Sequence, residues 1–275
     1  MAMSEEATIR LACFLGIFAA IALWEVAAPR RARSASRLAR WPSNIAIVAL
    51  NTLLARIVVP IAAVGLAAIG KAEGWGLLNA ASLPPLAKVA VAVVVLDLAI
   101  YLQHVMFHAV PALWRLHRMH HADLDFDVTT GARFHLIEIL LSAGIKMIVV
   151  AALGPPAVAV LIFEVLLNAT AMFNHGNVRI ALGLDRALRW LVVTPDMHRV
   201  HHSIEVEETN SNFGFNLPWW DRMFGTYRDQ PAAGHEAMTI GLDQFRDPGE
   251  LRLDRMLTQP FRESVGRYPI GRRPD

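Results

Sequence analysis

One cysteine, Cys13, in a chain of 275 residues leaves no intramolecular disulfide, no cysteine zinc site and no protein-bound iron–sulfur cluster. Any metal must be held by nitrogen and oxygen. Charge is scarce as well: 18% of residues are charged against 55% hydrophobic, and the mean hydropathy is +0.38. That balance excludes an ordinary soluble domain. There is no G-x-G-x-x-G loop and no C-x-x-C-H haem attachment site. The net charge of +2 is slight, and no nucleic-acid partner is expected.

The apolar residues are bunched into runs. The first, about Ile9 to Ala28, has the ~20 residues a bilayer core requires. Its acidic start and its length do not resemble a secretory signal, so it reads as a retained membrane anchor. A second run, Ile45 to Ile69, is interrupted by Asn51, Arg56 and Pro60, and reads as an interfacial segment leading into a shorter span. Arg56 is expected to point inward, because a mid-span charge avoids lipid. Further runs cover Leu86 to Leu102, Leu136 to Leu153 and Ala157 to Phe173, the last two joined by Gly154-Pro155-Pro156 as a tight helical hairpin. The expected fold is all-α: a polytopic bundle of about four to five membrane helices with a cytoplasmic, histidine-rich helical cap.

Orientation follows from Arg30, Arg31, Arg33, Arg37 and Arg40, which place the first loop on the cytoplasmic side. The segment 109–134 and everything after the fifth span then share that side. Within the hairpin, Lys146 and Glu164 lie equally far from Pro155 and are expected to form an ion pair. Removing Lys146 alone should destabilise more than removing both partners.

Eight of the eleven histidines fall into three boxes. His104 and His108 are spaced i, i+4. His117, His120, His121 and His198, His201, His202 each follow i, i+3, i+4, which puts three imidazoles on one helix face. His175 follows the fifth span directly, at matching depth. Nine histidines suffice for two metal ions with four or five ligands each. Hydrolytic zinc needs only three protein ligands, and the Glu-x-x-His pairs of soluble di-iron bundles are missing. A pair of redox irons held by histidine alone fits the count.

The order H-x3-H, H-x2-H-H, N-H-x-N, H-x2-H-H resembles the fatty acid hydroxylase/sterol desaturase superfamily of membrane non-haem di-iron oxidoreductases. So do Thr194-Pro195-Asp196-Met197, Asn210-Ser211-Asn212-Phe213-Gly214-Phe215-Asn216 and Trp219-Trp220-Asp221-Arg222-Met223-Phe224-Gly225-Thr226-Tyr227. The resemblance runs from about His104 to Tyr227. It implies that His104, His108, His117, His120, His121, His175, His198, His201 and His202 bind two iron ions, with zinc able to substitute on isolation. His135, in Arg133-Phe134-His135-Leu136-Ile137-Glu138, resembles an R-x-H-P-x-E motif in which Leu136 replaces proline, and is a tenth candidate.

Other residues carry plainer expectations. Asp221 and Trp220 should brace a turn beneath the site. Asp196 should orient a ligand imidazole or cap the last histidine helix. Arg118 and Arg199 should be solvated, His235 should lie on the surface, and the tail beyond Gly266 should be poorly ordered. Phe173, Phe213 and Phe215 should line a lipid slot or pack in the core. The organisation reads as membrane helices over 1–85, a catalytic domain over 86–230 and a polar tail over 231–275.

The implied activity is O2-dependent hydroxylation or desaturation of a lipid C–H bond in a bacterial inner membrane. Electrons would come from a separate ferredoxin, cytochrome b5-like protein or reductase. The alternatives are a membrane metal-binding or transport protein, which would spread ligands along the spans, and a lipid-binding scaffold.

Overall fold

The computed structural model describes residues 3–271 and is all-α. Among the described residues, extended pairing is limited to two isolated bridges, Pro29 with Val178 and Ser203 with Ile240. Five stretches are long and apolar enough to cross a membrane: 5–27, 37–80, 85–109, 136–153 and 157–174. A helix is the form such stretches take, because lipid offers no partner for a backbone N–H or C=O.

The first is α1 (Met3–Ala27). The second is broken into α2 (Arg37–Val58) and α3 (Ala63–Glu73) around Pro60, which has no N–H to continue a helix. The next, α4 (Pro85–Ala109), is followed at once by α5 (Pro111–His121). Both open on proline, where a missing N–H is no loss. The hairpin is α6 (Leu136–Leu153) and α7 (Ala157–Asn174). Gly154 closes α6 in the left-handed region at φ 62°, and a Cβ there would lie 2.6 Å from the Trp75 carbonyl. That turn is therefore reserved for glycine.

Small and branched residues pack the bundle: Ala63 and Ala67 of α3, Leu96 and Ile100 of α4, Val150 of α6, and Val160 and Phe163 of α7 form one buried cluster. Within the hairpin Lys146 does pair with Glu164, and Arg10 of α1 reaches the same carboxylate. The expected pair is thus a triad across three helices. Arg56 departs from expectation. It is exposed, not inward, because it sits in the last turn of α2, where a long side chain can reach outward.

All the long polar connections collect at the end of the bundle opposite Gly154. Arg40, fully buried on α2, donates to Asp123 at 2.7 Å and to Asp127 at 2.6 Å. Burial alone would raise the Asp123 carboxyl, but the Arg40 guanidinium against it prevails and holds it at about 2. Asn44 donates to Thr129 and Asn51 to the Phe134 carbonyl. The first half of α2 therefore belongs to this cap, as an interfacial start to the second run requires.

The tail contradicts its expectation over residues 267–271. Tyr268 is fully buried against Trp114, and the Ile270 N–H donates to the His108 carbonyl. The reason is Arg118, which points into the tail and donates to the carbonyls of Ser264 and Gln259 at 2.5 and 2.7 Å. It too is buried, not solvated.

Candidate metal centre

Four elements bring imidazoles to the cap. The last turns of α4 carry His104 and His108, and the end of α5 carries His117, His120 and His121. The short α9 (Pro195–His201), which follows α8 (Leu182–Leu188), carries His198 and His201, with His202 as its C-cap. His175 caps α7. Thr194 starts α9 by accepting from the Met197 N–H.

The nine histidines form two buried groups. His104, His108, His117, His121 and His201 make one, and His120, His175, His198 and His202 the other. Within each group the ligand atoms lie within 4.8 Å of one another. The groups adjoin: the rings of His121 and His202 stack at 4.6 Å, and those of His117 and His120 lie 5.2 Å apart.

The outward nitrogens fix the tautomers. His104 Nδ1 faces the Phe213 carbonyl at 2.8 Å, His201 Nδ1 the Ser211 carbonyl at 2.7 Å, and His175 Nδ1 the Ala171 carbonyl at 2.7 Å. A carbonyl only accepts, so each Nδ1 carries the proton. His117 Nδ1 donates in the same way to Glu138 at 2.7 Å. Asn210 spends its amide N–H on the Tyr268 carbonyl, so its oxygen faces His108 Nδ1 at 3.0 Å.

The inward Nε2 atoms of these five rings are therefore lone pairs. His104 Nε2 meets His117 Nε2 at 3.1 Å with no proton for either to donate. His108 and His117 likewise turn bare Nε2 atoms toward the ring of His121, 3.2 Å from its own Nε2. His201 Nε2 is buried without a partner. In the second group His175 Nε2 lies 3.1 to 3.2 Å from Nε2 of His120, His198 and His202. Two nitrogens bound about 2.1 Å from one ion stand roughly 3 Å apart. Opposed lone pairs at that distance are the arrangement a shared cation resolves, and these residues fit one ion per group.

Burial holds the imidazoles in the neutral form that ligation requires. It pushes His175 down to about 3. It also carries His120, His121, His198, His201 and His202 well below the usual histidine range, with neighbouring imidazoles adding to the effect. The walls are aromatic. Phe134 stacks on His120 at 4.4 Å, Trp114 lies 4.8 Å from His108, and Phe126 lies 5.4 Å from His175. Phe213 and Phe215 pack on His104 at 5.4 and 5.3 Å, whereas Phe173 packs away from the site against Trp24.

His135 joins neither group. It caps α6, its Nδ1 accepting from the Ile137 N–H, while Nε2 faces the Leu257 carbonyl. A ring committed to a helix start cannot also point into the cluster. Glu138, three residues on, is the member of that motif which reaches the site, through His117. A carboxylate on the first turn of a helix below a histidine box was the available signal for it.

Asp221 and Trp220 brace, as expected. They lie on α10 (Trp219–Met223). The Asp221 carboxylate accepts from the N–H groups of Phe213 and Gly214 and from the Thr226 hydroxyl at 2.7 to 2.9 Å. Burial raises that carboxyl to about 6. Trp220 Nε1 donates to Asp97 of α4 at 2.8 Å. Asn212, in the left-handed region at φ 52°, donates to the carbonyls of Met197 and Arg228.

Asp196 neither orients any of the nine clustered imidazoles nor caps α9. It pairs with Arg199 and, at 3.0 Å, with Arg30. Arg199 is fully buried, not solvated, because Asp196 and the Gly176 carbonyl receive it. His235, expected on the surface, is 4% exposed and lies 3.6 Å from Asp196 under the turn at 234–237.

A family model described as fatty acid hydroxylase matches residues 89–226. An ornithine lipid hydroxylase of Rhizobium tropici is 30% identical over 187 residues, 68% of this chain and 54% of that protein. An alkylglycerol monooxygenase of Xenopus tropicalis is 30% identical over 136 residues, 48% of this chain and 28% of that protein. A cholesterol 25-hydroxylase of Rattus norvegicus is 24% identical over 168 residues, covering 60% and 54%. The chain spans about half, or less, of the length of these curated relatives. No solved structure matches.

Proposed function

The chain belongs to the fatty acid hydroxylase family, and from that membership we propose that it is a membrane oxidoreductase that uses O2 to hydroxylate a C–H bond of a lipid. The observation that carries the reading is the pair of adjoining buried histidine groups, in the first of which the unprotonated Nε2 atoms of His104 and His117 are opposed. His104, His108, His117, His121 and His201 would hold one iron; His120, His175, His198 and His202 the other. Bound there, the metal pair supplies the activation of dioxygen and the attack on an unactivated C–H bond, chemistry no side chain provides.

The protein's own part is positioning and exclusion. Phe213 O, Ser211 O, Ala171 O, Glu138 and Asn210 hold five imidazoles by their outer nitrogens. That orientation is the support a metal centre needs to keep its geometry. The aromatic walls keep water from the site.

The relatives named above take an ornithine lipid, an alkylglycerol and cholesterol by their names, which supports a lipid substrate. With one cysteine, the chain needs a separate electron donor, a ferredoxin, cytochrome b5-like protein or reductase. We place the cap on the cytoplasmic side, because the arginine-rich stretch 30–40 lies at the same end as all nine histidines, and we take the membrane as a bacterial inner membrane from the arginine- and alanine-rich composition. The ligands gather at that end, so a transport path along the spans has no support.

The test is iron content and lipid products of anaerobically purified, iron-reconstituted protein with a reductant and host lipids under 18O2. Two irons per chain, one for each group, and label in one lipid are expected. A new double bond without label would mean desaturation. Absence of stoichiometric metal, or its loss only on mutating residues outside the two groups, overturns the reading.

A further inference from the structure

Outside the five spans, the chain carries a concentration of exposed apolar side chains. On and after α8, Leu184, Trp190 and Leu191 are 57%, 60% and 66% exposed; on and after α10, Trp219, Met223 and Phe224 are 42%, 68% and 53% exposed. The two stretches are one surface. Trp219 Nε1 donates to the Trp190 carbonyl at 2.7 Å, and the Arg222 guanidinium lies 4.0 Å over the Trp190 ring and donates to the Arg189 carbonyl. A soluble surface rarely leaves so contiguous an apolar patch uncovered.

The depth of this surface identifies what covers it. Its inner side docks on α4 within the span 85–109: Trp220 and the Leu217 N–H both donate to Asp97, and Phe224 stacks on Tyr101 at 5.4 Å. Asp97 lies seven residues before His104, about 10 Å of helical rise further into the span. Leu102, on the same helix, is 50% exposed. A surface fixed against a membrane-spanning helix at that depth, with its other side uncovered, faces acyl chains. Trp190, Trp219 and Arg222 supply the amphipathic rim that interfacial segments use at the headgroup level.

We propose that residues 182–191 and 217–224 form a monotopic bilayer-inserted face, a lipid contact additional to the five spans, in the leaflet that borders the metal-bearing cap. Its occupant is the acyl region of the membrane. The loop 210–216 links this face to His104 and His201: Phe213 packs with Tyr101 and Trp220 and lies 5.4 Å from each of the two histidine rings. The proposal needs the chain to be membrane-embedded and does not need it to be a hydroxylase.

The test uses the full chain in lipid nanodiscs, with Cys13→Ala and one spin label each at Leu184→Cys, Leu191→Cys and Met223→Cys. Leu102→Cys marks the span and Glu207→Cys, whose side chain is 88% exposed, marks solvent. Collision with dissolved oxygen and with a water-soluble nickel chelate is read at each. An oxygen-to-nickel ratio several-fold above that of position 207 and near that of position 102 is expected at 184, 191 and 223. Ratios matching position 207 overturn the proposal, as do labels shielded from both probes, which would show a second protein copy on the face.

Discussion

Asp221 and His104 are linked through a single residue: the carboxylate accepts the Phe213 N–H at 2.7 Å, and the Phe213 carbonyl accepts the His104 Nδ1–H at 2.8 Å. The W-D-R segment thus acts on the first histidine group without touching it. Replacing Asp221 by alanine leaves two peptide N–H groups and a hydroxyl unpaired in the interior, a loss of about 3 kcal/mol or more. Melting temperature and iron content of the first histidine group should fall together.

The same carboxyl gives a pH signature. Its folded value of about 6 lies above the usual one because burial disfavours the charge. The protonated form is therefore the more stable one, and its contribution is complete below pH 4 and lost as pH rises through 6. Compared with Asp221→Asn, the wild type should gain roughly 2 kcal/mol on going from pH 6 to pH 4. Paired melts of the two proteins isolate this from the histidines, which act in the opposite direction. An unchanged difference across that interval refutes it.

Glu138 should be separable by charge and by hydrogen bond. Glu138→Ala leaves His117 Nδ1 without an acceptor and should weaken iron binding about 10- to 100-fold. Glu138→Gln keeps an acceptor and should lose markedly less. Competitive chelator titration of the two variants measures the split.

Metal content should divide by histidine group. His201→Ala and His198→Ala should each reduce iron from two per chain toward one, from different groups. His135→Ala should leave iron unchanged and cost about 1 kcal/mol through the lost helix cap. Elemental analysis beside thermal melting checks all three.

The membrane triad changes what a charge deletion does. With Arg10 still on Glu164, Lys146→Met leaves the carboxylate paired. Glu164→Gln strands Lys146, while Arg10 keeps only Glu6, and should be the more destabilising single change. Unfolding in mixed micelles ranks the variants; a Lys146 variant less stable than the Glu164 variant would refute the triad.

Much of this was legible in residue spacing. The histidine boxes show their own helical faces, because i, i+3, i+4 is a geometric statement, and the apolar runs show the spans. The hairpin pair was readable because Gly154-Pro155-Pro156 fixes the register on both sides. What was not readable depends on distant chain returning over the cap. Arg118 and Arg199 look solvated until residues 259–264 and the Gly176 carbonyl are folded against them. His235 looks peripheral until the turn that carries it meets Asp196. His135 and Glu138 share one motif, and only the direction in which α6 starts decides which of them reaches the metal site.

Three of the five acceptors that set the histidine tautomers are main-chain carbonyls, those of Phe213, Ser211 and Ala171. A carbonyl is common to every amino acid, so no single codon change removes it. Alanine scanning passes over these positions in silence, and relatives can diverge at them while keeping identical ligand orientation. In this cluster a large share of the information about histidine orientation is inherited as chain path, and is invisible to any comparison made letter by letter.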